Sequence, residues 1–319
     1  MPAMYIGLLF AVLTGLTWVI TGAIVGLAER RGCGAFRQQL VSTLYSIGAV
    51  SLALVAGGRL LPDAPAFAFS AAARPALLMA AWGFLNFWMI FFMGRAMARG
   101  PNGLAWTVTQ SGLVFPFLMG VLSGNSPLTW ARAAGFALIV GNVVVSGAAK
   151  GGSSKGGSTL RWFLPALAAF VLCGANQCAV NLVSYDGVVP PQMRPANLER
   201  MFWGAAGTLA AWTVFVAGKR LMEGPAPRDP DLRGKYLFLL KVCGLALVPG
   251  FVASCWFHFN ALDRLQAAGA IAVASPMEVN ACLLGFFLYG RLALRERTTA
   301  LQNAAFALGL LGVVLIALG

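Results

Sequence analysis

Acid is what this chain has least of. Its 319 residues include 10 Asp or Glu and a single histidine, and charged residues of both signs make up only 10%. That is too little charge for a soluble surface of this size. One histidine, His258, cannot build a histidine metal cluster. No nucleophile stands beside a base and no carboxylates cluster, so the expectation is that the chain is not an enzyme and uses no cofactor or metal. The six cysteines show no CxxC spacing, which indicates neither a disulfide frame nor a metal knuckle. The tract around Lys155 lacks the spacing of a phosphate loop. The sequence offers neither a ring of charges nor a filter for an ion channel. The first apolar run has no basic n-region or small-residue cleavage site, so it reads as retained in the protein.

Apolar sequence is there in quantity: 59% of residues are hydrophobic. A hydrocarbon core of about 30 Å takes roughly 20 residues of helix. Ten stretches qualify, near 4–27, 38–57, 75–97, 103–122, 128–148, 162–183, 198–217, 236–258, 266–289 and 299–318. With no water to satisfy backbone groups in lipid, they should be helices. The fold class expected is therefore all-α, a polytopic membrane protein. Five stretches lie in 1–148 and five in 162–319, joined by the flexible glycine- and serine-rich segment 149–161.

The two sets read alike. Gly103-Leu104-Ala105 opens the fourth stretch and Gly269-Ala270-Ile271 the ninth, and turns at Gly124 and Gly290 follow at the same spacing. Gly141-Asn142-Val143-Val144 is answered by Gly312-Val313-Val314-Leu315. Because five is odd, the second set enters the membrane from the opposite face. Inverted repeats of this kind belong to secondary transporters, whose sites lie near the bilayer midplane. The first, third, fourth, sixth, eighth and ninth stretches are expected to surround that site.

The net charge of +13 is unevenly spread: 17 of 23 Lys and Arg fall in or beside the odd-numbered connections, and six elsewhere. That bias puts the odd connections in the cytoplasm and both chain ends outside. Basic loops on that face also suit anionic lipid head groups. No basic–aromatic motif accompanies the charge, so nucleic acid is not an expected partner.

Several polar residues are unusual at membrane depth. Glu278 stands about 12 residues from either end of the ninth stretch, roughly 18 Å deep. A charge there costs at least about 2.5–3.5 kcal/mol, so the carboxyl should face a cavity or carry a proton. It is the candidate proton-coupling group, with Ser275, Asn280 and the helix-loosening Pro276 beside it. The sixth stretch carries Asn176, Gln177 and Asn181, of which Gln177 and Asn181 share one face; Thr14, Thr17, Trp18 and Thr21 form a comparable stripe on the first. Asn86 and Gln110 are the lone amides of the third and fourth, and Trp82 offers a flat platform for a ring. These are the substrate-binding candidates, and interhelical packing is the alternative role for each. His258, at the end of the eighth stretch near the outer face, is a candidate gating residue.

The closing segment, Gly290, Arg295-Glu296-Arg297-Thr298-Thr299, Leu301-Gln302, Gly309 and Gly312-Val313-Val314-Leu315, resembles that of the drug/metabolite transporter superfamily. The opening run Thr14-Gly15-Leu16-Thr17-Trp18 resembles the start of that superfamily's members. Asn125 departs from the pattern, which often has an acidic residue after the turn glycine. Leu61-Pro62, Trp82-Gly83-Phe84-Leu85-Asn86 and Gly124-Asn125 resemble the branch of the L-rhamnose–proton symporter and related sugar porters. The resemblance implies a secondary active transporter of a small polar metabolite, a sugar among the options, working by alternating access with protons or another coupling ion. Exporters and exchangers of amino acids or drug-like metabolites belong to the same superfamily. Many members are drawn with both termini in the cytoplasm, against the charge count here. A non-transporting scaffold or receptor subunit is the rival class, and a polar cavity walled by both halves would separate the two. Oligomeric state and transport direction stay open.

Overall fold

The computed structural model describes residues 2–56, 69–100, 102–123, 128–148, 160–223, 229–293, 295 and 299–318, and every regular element among them is helical. The elements are α1 (Pro2–Arg30), α2 (Ala35–Ala56), α3 (Phe69–Met97), α4 (Asn102–Gln110), α5 (Val114–Leu122), α6 (Trp130–Ala148), α7 (Leu160–Ser184), α8 (Asn197–Glu223), α9 (Leu232–Val242), α10 (Val248–Ala267), α11 (Ala274–Leu292) and α12 (Ala300–Leu318). Among the described residues seven helical spans are long and apolar enough to cross a membrane, eight if α9 and α10 count as one bent span. Shorter apolar runs lie in α6 and α12. The chain is thus an all-α polytopic membrane protein. Most of the joint between its halves, 149–159, lies outside the described residues, as does 57–68 of the Arg59–Arg74 connection.

Two breaks have local causes. A 3₁₀ turn at Ser111–Leu113 joins α4 to α5, and a π turn at Cys243–Leu247 joins α9 to α10. The widened turn, next to Pro249 with its missing N–H, accounts for the bend of 42° there.

Boundaries correct two expectations. The eighth stretch, expected to end at His258, continues to Ala267, so His258 sits in the middle of α10. Asn260, Asp263 and Arg264 end the apolar run without ending the helix. The ninth stretch, expected to run from 266, is interrupted by Gly269 at φ 68° and a 3₁₀ turn at Ile271–Val273, with α11 starting at Ala274. Pro276 therefore lies in the first turn of α11, where its missing N–H breaks no bond. It does not loosen a helix centre, and Glu278 stands closer to the α10–α11 connection than expected.

Packing follows small residues, which let helices approach closely in lipid. α3 packs against α7 and α8, α1 against α10 and α11, α4 and α5 against α7, α2 against α8, and α6 against α12. At the α3–α8 crossing a Cβ on Gly83 would collide with the carbonyl of Gly204. At the α1–α11 crossing a Cβ on Gly15 would meet the carbonyl of Glu278. On the face of the odd connections, Asp229 accepts from Lys235 Nζ at 2.8 Å and Arg37 Nη1 at 3.3 Å, tying the start of α2 to the start of α9. The Lys235 hydrogen bond holds the Asp229 carboxyl below the usual carboxylate range.

Candidate functional site

A cavity of about 110 Å³ lies between the two halves of the chain. Its wall comes from α1, α2, α3 and α4 on one side and from α7, α8 and α10 on the other. The second and seventh stretches, left out of the expected ring, are wall elements, while the ninth stands behind the wall. α2 contributes most of the polarity, with Gln38, Gln39, Ser42, Thr43 and Ser46. None of these was singled out from sequence. The signal was legible, because Gln38, Ser42 and Ser46 recur at i, i+4, i+8, which is one face of a helix.

Among the described residues, no Asp, Glu, Lys or Arg lines the cavity. Its polar groups are amides and hydroxyls, with His258 the one histidine among them, and the indoles of Trp18, Trp82 and Trp106 add flat apolar faces. Several polar atoms have no hydrogen-bond partner among the described residues: Gln38 Oε1, Gln39 Nε2, Asn176 Oδ1, Gln177 Oε1 and His258 Nε2. A buried polar atom left unpaired costs about 1–3 kcal/mol. All five belong to residues of the cavity wall, but each atom is itself shielded from the void, so a guest would reach it only after the side chain turns.

The candidates divide by position. Trp18, Trp82, Asn86, Gln110 and Gln177 line the cavity. Asn86 Oδ1 accepts from Asn176 Nδ2 at 3.3 Å, which fixes the amide pair between α3 and α7. Thr14 and Thr17 are not in the wall; their hydroxyls donate to the carbonyls of Phe10 and Thr14 at 2.8 and 2.7 Å within α1. Asn181 and Ser275 meet each other at 3.4 Å between α7 and α11, away from the cavity wall. Asn280 is half-buried on α11 and also outside the wall.

Glu278 is fully buried and has a neighbour that sequence did not reveal. His258 Nδ1 lies 2.7 Å from Glu278 Oε1, and both side chains are shielded. His258 is therefore not an interfacial residue, since it shares the depth of Glu278. Its ring stands 5.9 Å from that of Trp18 and forms part of the cavity wall, so it links the carboxyl to the void. α1, α4, α7 and α12 also pack on α11; α4, α12 and residues 6–28 of α1 contain no titratable side chain, and residues 162–184 of α7 bring only the thiols of Cys173 and Cys178. His258 is thus the titratable group facing Glu278.

No protein-family model matches the sequence, and no curated protein matches it. A solved structure described only as the crystal structure of a protein covers 99% of this chain and 96% of its own, with a TM-score of 0.56 at 17% identity. At that identity the match shows that the fold recurs, and speaks to nothing finer.

Proposed function

We propose that this chain is a secondary active transporter that carries a small uncharged polar metabolite, a sugar or a compound of similar hydroxyl content, by alternating access. The observation that carries the reading is the cavity: walled by both halves, lined by amides, hydroxyls and indoles over a largely apolar surface, and free of fixed charge among the described residues. A scaffold has no use for such a space.

The inverted 5+5 architecture belongs to the same proposal, with α4–α5 and α9–α10 each counted as one span. Helix packing supports it. Exchanging each span of the first set with its counterpart in the second turns the α3–α7 contact into α10–α1. The same exchange turns α1–α11 into α7–α4/α5, and returns α6–α12 and α2–α8 to themselves. Membership of the drug/metabolite transporter superfamily fits this pattern and the motifs of the two chain ends.

In this reading Glu278 and His258 form the coupling site. A buried carboxyl whose facing titratable partner is an imidazole can hold or release a proton at modest cost, while Trp18 and His258 pass the change to the cavity. The test is a ligand-stabilisation screen of the purified protein against sugars, amino acids and nucleosides. A substrate at about 100 times its Kd should stabilise the folded state by roughly 2.7 kcal/mol. If uncharged polyols never raise the melting temperature while charged amino acids do, the substrate class is wrong.

A further inference from the structure

The cavity lies nearer the odd-connection ends of α2, α3 and α4 and nearer the even-connection ends of α7, α8 and α10. Toward the odd-numbered connections its wall reaches Gln38, three residues into α2, and Met93 and Trp106, each four residues from the facing ends of α3 and α4. Those distances amount to about 5–6 Å of helix. Toward the even-numbered connections the wall stops at Gln177, Ala205 and His258, which lie seven, eight and nine residues from the ends of α7, α8 and α10. That leaves about 10–14 Å. Side chains fill this interval: Trp82, Val183, Tyr185, Met201, Phe259 and Leu262 belong to one buried cluster.

A polar clamp covers the plug. Arg200 grips Asp263 with two nitrogens, Nη2 to Oδ2 at 2.9 Å and Nη1 to Oδ1 at 3.3 Å. Ser184 Oγ donates to the same carboxylate at 2.8 Å. Arg194 Nη1 adds a longer approach to Asp263 at 3.9 Å, while its Nη2 pairs with Asp186 and donates to the Ser184 carbonyl at 2.6 Å. Arg200 also donates through Nε to the Pro195 carbonyl at 2.9 Å and lies 5.4 Å from the centre of the Phe259 ring. One carboxylate on α10 thereby holds the end of α7, the connection after it and the start of α8 against the plug. The Arg200 side chain is only 3% exposed, so separating it from Asp263 leaves charge buried and unpaired. Such a contact is made or broken, with little in between, which suits a gate with two states.

We propose that Asp263, clamped by Arg200 and Arg194, is the latch of the gate on the even-connection face, and that this structure is a state in which that face is shut. The proposal rests on the transport reading above and adds the residues that decide which side is shut. α10 carries both the latch and, five residues earlier, His258. Movement of this one helix would therefore register at the coupling pair and at the gate together.

Sided labelling tests it. The full chain, keeping Cys255 of the cavity wall as its lone cysteine, is exposed to a membrane-impermeant maleimide in vesicles of each orientation. The parent should label little from the even-connection face, which lies opposite the basic connections. Asp263→Asn should raise labelling from that face about tenfold or more, a population shift equivalent to about 1.4 kcal/mol. Asp263→Glu, which keeps the charge, should stay close to the parent. An unchanged ratio of faces in an Asp263→Asn protein that still melts cooperatively overturns the latch. Should that variant not fold, Arg194→Gln carries the same test with a smaller expected rise, and no rise overturns it equally. The ligand screen remains the separate measure of transport: a parent that binds ligand but has an indifferent Asp263 loses only the latch.

Discussion

At the scale of single residues, position relative to the cavity separates recognition from packing. Gln177 lies in the wall and Asn181, one turn further on, lies outside it; both oxygens are unpartnered among the described residues, but Asn181 Nδ2 donates to Ser275. Gln177→Leu removes an acceptor that a ligand would satisfy once the side chain turns. Ligand affinity should fall about tenfold, by the roughly 1.4 kcal/mol of a hydrogen bond, while the ligand-free protein melts no lower than the parent. Asn181→Leu should do the reverse, leaving affinity unchanged and lowering the melting temperature. Glu278 is a different case, since its role is tied to a proton. Glu278→Gln keeps size and hydrogen bonding to His258 but fixes the group as neutral, so accumulation driven by a pH gradient should vanish while binding survives. Glu278→Asp should keep part of the activity with a displaced pH optimum. A Gln variant that accumulates substrate as well as the parent makes the carboxyl structural and leaves exchange, or another ion, as the mechanism.

Between elements, glycines set how near the helices come. A methyl group on Gly83 has no room against the Gly204 carbonyl, whereas one on Gly218, further along α8, meets nothing within 4 Å. Gly83→Ala should therefore destabilise by about 1–3 kcal/mol, the usual cost of overpacking, and pry α3 from α8 beside the cavity. Gly218→Ala is the matched control and should be neutral or slightly stabilising, because alanine is the better helix former. Equal melting temperatures for the two variants would mean that the crossing relaxes freely. The helices themselves were readable from hydropathy, because runs of about 20 apolar residues have few other uses. Their polar joints were not. The end of α10 was hidden because Asp263 and Arg264 look like a loop until Arg200 and the Phe10 ring are found beside them. The partner of Glu278 was hidden because it lies 20 residues away on another helix. The α2 stripe was readable as an i, i+4, i+8 face, but amides and hydroxyls in an apolar helix serve interhelical packing as readily as a site.

For the whole molecule, the question is which way the chain sits in the bilayer, and the charge count and the family resemblance disagree. The count puts 17 Lys and Arg near the odd connections against six elsewhere. Four of those six have structural employment. Arg194 and Arg200 hold the clamp, Arg264 lies over the Phe10 ring at 5.5 Å, and Arg74 donates to the Val188 carbonyl at 3.3 Å. Arginine on that face is thus explained by contacts that need a guanidinium. On the other face Arg31 and Arg37 lie over phenylalanine rings, and Lys219 has an exposed i, i+4 partner in Glu223. Insertion responds to Lys and Arg near span ends, so the odd connections should be cytoplasmic and the C-terminus outside. A reporter that works only in the cytoplasm, fused after Gly319, should be silent, and one that works only outside should be active. Moving each reporter into the 224–228 connection should reverse both results. If the C-terminal fusion is active in the cytoplasm instead, the basic connections face outward. The latch built on Asp263 then closes the cytoplasmic side.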